Sequence, residues 1–153
     1  DRGTLPLQEA IRRASVRSGI TADRIAKLFD LVPRSLKLIP DTIDLLYRLK
    51  KQGHRLFYLS NMHSASIQYL EKEYGFWDVF DGGIISCRVQ LIKPEPEIYS
   101  ALLEQYALES GETVFIDDTE INLTAAAEFG IRTIHFLGAR QCVEQLRQQI
   151  HPF

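Results

Sequence analysis

The order of apolar segments predicts an α/β fold, a parallel sheet with helices on both faces. Three observations predict it. Short apolar runs at 55–59, 83–86, 114–117 and 131–136 alternate with stretches of helical periodicity. Glycines close several of those stretches, at Gly53, Gly75 and Gly130. Two of the runs end in polar pairs, Ser60-Asn61 and Asp117-Asp118, at strand carboxyl ends, where open α/β sheets bind ligands.

Taken in order, residues 5–19 carry Leu7, Ala10, Ile11 and Ala14 at helical spacing, and Gly19 ends that helix. Thr21 suits the N-cap of a second helix with Ile25, Leu28 and Phe29 on one face. Pro33 and Pro40 bracket a short connection, and a boundary falls near Ile39. Residues 1–39 are thus a small helical piece, and 40–153 the α/β part. Residues 41–52 form an amphipathic helix through Ile43, Leu45, Leu46 and Leu49, closed by Gly53. A strand at 55–59, a helix at 65–74 stopped by Gly75 and a short strand at 83–86 follow. Pro94 opens a helix to about Ala107, with Ile98, Leu102 and Leu103 inward. A strand at 114–117, a helix containing 123–129, a strand at 131–136 and a helix at 139–149 complete the chain. Trp77 and Phe80 are expected to close the sheet edge.

Bulk properties narrow the partners. The chain has 153 residues, 25% charged and 45% hydrophobic, with a net charge of −2. These values suit a soluble globular domain and give no basic stripe for nucleic acid. No apolar run reaches the length of a membrane span and no signal-peptide pattern is present. Cys87 and Cys142 form no metal-like spacing and read as reduced thiols of a cytoplasmic protein.

The chemistry concentrates in three segments. At Asp117-Asp118 two like charges lie side by side, which calls for a cation between or beside them, a divalent metal or a lysine. A helix cap explains Asp118 alone but not both acids. Asn122, four residues after Asp118, can fix the loop by a side-chain hydrogen bond. At Ser60-Asn61 a hydroxyl, a carboxamide and free backbone N–H groups can donate to an oxyanion, although both residue types also favour turns for local reasons. In Lys93-Pro94-Glu95-Pro96-Glu97 a cation stands at a predicted helix N-terminus, against the helix dipole; a phosphate or carboxylate partner accounts for it.

Leu-Ser-Asn, then Lys-Pro-x-Pro-x-Ile-Tyr, then Phe-Ile-Asp-Asp-x-x-x-Asn with Gly130 downstream resembles the haloacid-dehalogenase superfamily, matching its second, third and fourth motifs. The resemblance covers about residues 40–137 and leans toward phosphatases of the alpha-D-glucose-1-phosphate type. It implies a three-layer Rossmann-like core with part of a small helical cap before it. It also implies a Mg²⁺-dependent phosphatase acting on a small phosphorylated metabolite. Ser60 and the amide of Asn61 would bind phosphoryl oxygens, Lys93 would neutralise charge and pair with Asp117, and Asp118 would bind Mg²⁺.

The family's first motif, an apolar strand ending in the nucleophilic aspartate, has no counterpart here. Asp30, Asp41, Asp44, Asp78 and Asp81 do not follow an apolar strand of that kind. The resemblance places that strand centrally, between those ending at Ser60 and at Asp117. The expectation is therefore a longer polypeptide with on the order of 40 further residues upstream. Two rivals stand: a metal-independent 2-haloacid dehalogenase, against which the two acids weigh, and a catalytically silent binding module. His63 and Arg88 read as solvated residues near the mouth, and His135 as a packed core residue.

Overall fold

The computed structural model describes residues 1–150. The expected α/β part, 40–153, therefore ends in three residues, 151–153, outside the described ones. Its elements run α1 (Leu7–Ser18), α2 (Ala22–Ser35), α3 (Pro40–Lys51), β1 (Phe57–Ser60), α4 (Ser64–Glu73), β2 (Gly82–Ile85) and α5 (Ser86–Val89). They continue as α6 (Pro96–Gln105), β3 (Val114–Asp117), α7 (Glu120–Ala127), β4 (Arg132–His135) and α8 (Ala139–Gln149).

All pairing among the described residues is parallel. β1 pairs with β2 from Phe57–Gly82 to Ser60–Ile85, and β3 pairs with β4 from Val114–Arg132 to Asp117–His135. β1 and β3 do not pair with each other, so the strands form two two-stranded sheets. The interruption falls where the resemblance puts a central strand.

Side-chain alternation along β3 shows how the layers form. Phe115 packs with Ile84, Ile98, Tyr99, Leu102, Ala126 and Ile131, a cluster supplied by β2, α6, α7 and the residue before β4. Its neighbours Val114 and Ile116 pack instead with Leu45, Leu49, Ile134, Cys142 and Leu146, from α3, β4 and α8. Successive strand residues point to opposite faces, so helices cover both. Phe57 and Leu59 of β1 join the first cluster, and α6 thereby ties the two strand pairs together. Tyr99 and Ile98 are fully buried there; each such side chain contributes about 1.5–3 kcal/mol of burial.

The helical piece is a hairpin. Gly19 ends α1 in the left-handed conformation at φ 71°, Thr21 occupies the N-cap of α2, and α1 and α2 pack together. α2 also packs on α4, and the Tyr74 hydroxyl donates to the Leu36 carbonyl at 3.3 Å.

The prolines behave differently from expectation. Pro33 does not open a connection; it is buried within the last turn of α2, which runs on to Ser35. So near the end, its missing N–H removes a single helical bond. Pro40 starts α3 instead of preceding it. The helix expected from Pro94 starts at Pro96, with Glu95 as N-cap, so Lys93 sits in the preceding turn and not at the helix terminus. Arg55 and Leu56 stay outside the ladder; Leu56 N–H donates to Asp81 Oδ2, and Asp81 N–H to the Leu56 carbonyl, both at 2.8 Å. Trp77 and Phe80, expected at the sheet edge, stand edge-on to Tyr58 of β1 at 5.6 and 5.4 Å.

Candidate active site

Three chain segments meet at the strand carboxyl ends around a cavity of about 400 Å³. Ser60 and Asn61 line it from β1, Lys93 and Pro94 from the turn before α6, and Asp117, Asp118 and Thr119 from the end of β3. Ile121 and Asn122 of α7 complete the wall. All six residues singled out from the sequence are thus brought to one place.

Lys93 and Asp117 form its floor. The ammonium donates to Asp117 Oδ2 at 2.6 Å and to the Leu59 carbonyl at 2.7 Å, and lies 5.4 Å from the Phe115 ring centroid. Asp117 Oδ1 accepts from Thr119 N–H at 2.8 Å and from Asn122 Nδ2 at 3.0 Å. The loop bond expected of Asn122 therefore goes to Asp117, five residues back, and not to Asp118. Burial pushes the Asp117 carboxyl up, but hydrogen bonds from Lys93 and Asn122, the ammonium charge and the Thr119 amide outweigh it and hold it below the usual carboxylate range. Asn122 is itself placed by buried Tyr99, whose hydroxyl donates to its carbonyl at 2.9 Å.

Asp118 differs in every respect. It is exposed, and among the described residues its carboxylate's only hydrogen bond comes from Thr119 Oγ1 at 3.3 Å. It does not cap the next helix: Thr119 is the N-cap of α7, without a side-chain cap bond. Its carboxylate is available at the cavity. Ser60 is half-buried, and its hydroxyl is likewise unengaged among the described residues.

This donor set suits magnesium in part. Mg²⁺ takes oxygen ligands, commonly one or two carboxylates with phosphate and water. Asp118 offers one such carboxylate, whereas both Asp117 oxygens are already engaged. Among the described residues no group of three His, Cys, Asp or Glu side chains converges for a metal.

The remaining candidates fall as follows. His63 is the N-cap of α4, and its Nδ1 accepts from Ser66 N–H at 3.3 Å, so it has a partner the sequence did not suggest. Burial lowers its pKa. Arg88 pairs with Glu71 at 2.7 Å. His135 is not a core residue. It ends β4 opposite Asp117, half-buried, with Nε2 at 3.1 Å from the Asp118 carbonyl and Nδ1 at 3.6 Å from Glu120 Oε1. Its place at a strand's carboxyl end was the signal for it. The first residues also reach this end of the sheet. Ser86 Oγ, fully buried, accepts from Met62 N–H at 2.9 Å and donates to the Asp1 carbonyl at 2.8 Å, while Arg2 pairs with Glu95.

Parallel strands thus bring a serine, an asparagine and two carboxylates to their carboxyl ends, beside the ammonium of Lys93 from the turn before α6. A family model for haloacid dehalogenase-like hydrolases matches residues 6–130, and the chain belongs to that family. It is 27% identical over 150 residues to the sesquiterpene phosphatase astK of Aspergillus oryzae, covering 98% of this chain and 76% of that protein. It is 32% identical over 110 residues to the GMP/IMP nucleotidase YrfG of Escherichia coli, covering 72% of this chain and 49% of the nucleotidase. Among solved structures, the HAD family enzyme BT-2542 of Bacteroides thetaiotaomicron in complex with magnesium and inorganic phosphate superposes with a TM-score of 0.60 at 32% identity. That match covers 65% of this chain and 52% of the other. The chain thus spans about half the length of the nucleotidase.

Proposed function

We propose that this chain forms most of a Mg²⁺-dependent phosphatase acting on a small phosphorylated metabolite. One observation carries the reading: the ammonium of Lys93 is fixed by Asp117 on the cavity floor while the carboxylate of Asp118 beside it stays free. A monoester phosphate entering the cavity would meet the Ser60 hydroxyl, the Asn61 backbone N–H and the Lys93 ammonium, which together offset the charge on its oxygens. Asp117 holds the ammonium in place and is not free to attack. Asp118 would hold Mg²⁺, which supplies further positive charge to the phosphoryl oxygens when bound. The nucleophile in this reading is an aspartate upstream of Asp1. Its carboxylate displaces the ester oxygen from phosphorus, and water then cleaves the resulting aspartyl-phosphate.

In the same reading residues 1–39 belong to a small helical cap and the rest to the core. The magnesium and phosphate in the Bacteroides neighbour, and the phosphatase and nucleotidase among the relatives, support both the metal and the substrate class. A sugar phosphate, a terpenyl phosphate and a nucleotide are the first substrates to compare. We assign the protein to the cytoplasm. Its two cysteines are free thiols, which supports a reducing compartment.

The test is phosphate release by the full-length protein from 4-nitrophenyl phosphate, glucose 1-phosphate, farnesyl phosphate and GMP, with and without Mg²⁺. Release that needs Mg²⁺ is expected. Folded protein that releases none with the metal present, or that frees chloride from 2-chloropropionate without it, overturns the reading.

A further inference from the structure

The Asn61 side chain does something the phosphate-binding role does not require. Its Oδ1 accepts from the Lys93 backbone N–H at 2.8 Å, and its Nδ2 donates to the Lys93 carbonyl at 2.9 Å. The carboxamide thus meets both main-chain polar groups of one residue 32 positions away, as a neighbouring strand would. Lys93 lies in a turn outside any helix or ladder, closed by Glu95 N–H donating to the Ile92 carbonyl at 2.9 Å, and the two Asn61 bonds are the ones that engage its own N–H and carbonyl. The same stretch of chain also holds the other end of Lys93, because the ammonium donates to the Leu59 carbonyl at 2.7 Å.

We infer that Asn61 is a positioning residue for Lys93. The turn 59–61 grips the lysine at its backbone and at its ammonium, and the stem spans the distance between. A lysine stem is long and flexible, and its charge is no better placed than the backbone that bears it. With both ends fixed, the ammonium is held against Asp117 and toward the cavity before any substrate arrives. The carbonyl and one N–H of the carboxamide are committed to this task. Ser60 and backbone N–H groups are therefore left as the phosphate donors of this turn.

The kinetic part of the test rests on the phosphatase reading. In the full-length protein with Mg²⁺ and 4-nitrophenyl phosphate, Asn61→Ala should lower kcat on the order of 10- to 100-fold, with KM changed less than about threefold. In a Lys93→Ala background the same substitution should change kcat by less than about twofold, because the residue through which it acts is gone. Additive losses, or a KM that rises in both backgrounds, overturn the inference and make Asn61 a direct substrate ligand. Asn61→Asp keeps the acceptor for the Lys93 N–H and the side-chain size, and should fall between wild type and Asn61→Ala. Hydrogen exchange gives a readout that needs no turnover. The Lys93 amide should exchange on the order of tenfold faster in Asn61→Ala, and an unchanged rate overturns the inference. A wild type without turnover whose Lys93 amide still responds sinks the phosphatase reading and upholds the positioning role.

Discussion

Lys93 and Asp117 meet at 2.6 Å with side chains only 9% and 5% exposed, although one comes from a turn and the other from a strand end. An ion pair so far from water persists only when its spare hydrogen-bonding groups are also satisfied. Here Leu59 takes a second ammonium proton, and Thr119 and Asn122 serve the second carboxylate oxygen.

Removing the cation should therefore be costly. Lys93→Met leaves a buried carboxylate without its counter-charge, and the expected loss is about 3–5 kcal/mol in urea unfolding. Lys93→Met combined with Asp117→Asn removes both charges and should recover part of it. A double variant no more stable than the single one would contradict this.

Acid should act through the same pair. The Asp117 carboxyl is held below its ordinary range in the folded protein, so the unfolded chain binds the proton more readily. Its contribution to stability is fully present above the ordinary carboxylate pKa and is lost as pH falls through the lowered folded value. In Lys93→Met burial is opposed only by the remaining hydrogen bonds, and this acid-sensitive contribution should shrink or reverse. Urea midpoints in metal-free buffer from roughly pH 6 to pH 3 read the difference. Equal slopes for the two proteins would refute the coupling.

Asp118 should show the opposite profile. Being exposed and nearly unbonded, it should tolerate Asp118→Asn within about 0.5 kcal/mol of stability. Under the phosphatase reading the Mg²⁺ concentration for half-maximal activity should rise at least about tenfold. A large fall in melting temperature at unchanged Mg²⁺ response would reverse the assignment.

Tyr99→Phe tests the support behind the acid. The hydroxyl is buried and donates to the Asn122 carbonyl at 2.9 Å, so its loss leaves that carbonyl short of a partner. About 1–2 kcal/mol of stability should disappear. Burial pushes the phenol up to about 12, so it is a neutral donor through the ordinary pH range and the loss should be the same at pH 6 and pH 8. A pH-dependent loss would point to a different partner.

Much of this was legible in the chain. Val114-Phe115-Ile116-Asp117 forms a strand to the residue because its apolar run is short, bounded and followed by a helix. The amphipathic spacing of Leu45 and Leu49 marked the inner face of α3 for the same local reason. The cavity residues were legible as polar groups at strand carboxyl ends, a rule of the fold class.

What escaped depends on distant contacts or on proline context. The Asn61–Lys93 bonds join residues 32 positions apart, and no local pattern encodes them. Pro94 and Pro96 each suit a first helical position, and only the folded chain shows that Pro96 takes it. His135 sits next to buried Ile134 in an apolar strand and read as core, but alternation turns it to the other face, beside Asp118.

Ser86 has a practical consequence for anyone who handles this polypeptide. Its buried hydroxyl bonds the Asp1 carbonyl and the Met62 amide together. The backbone at Asp1 is therefore held beside the turn that follows Ser60. A fluorescent side chain placed at these first residues becomes a reporter of the cavity.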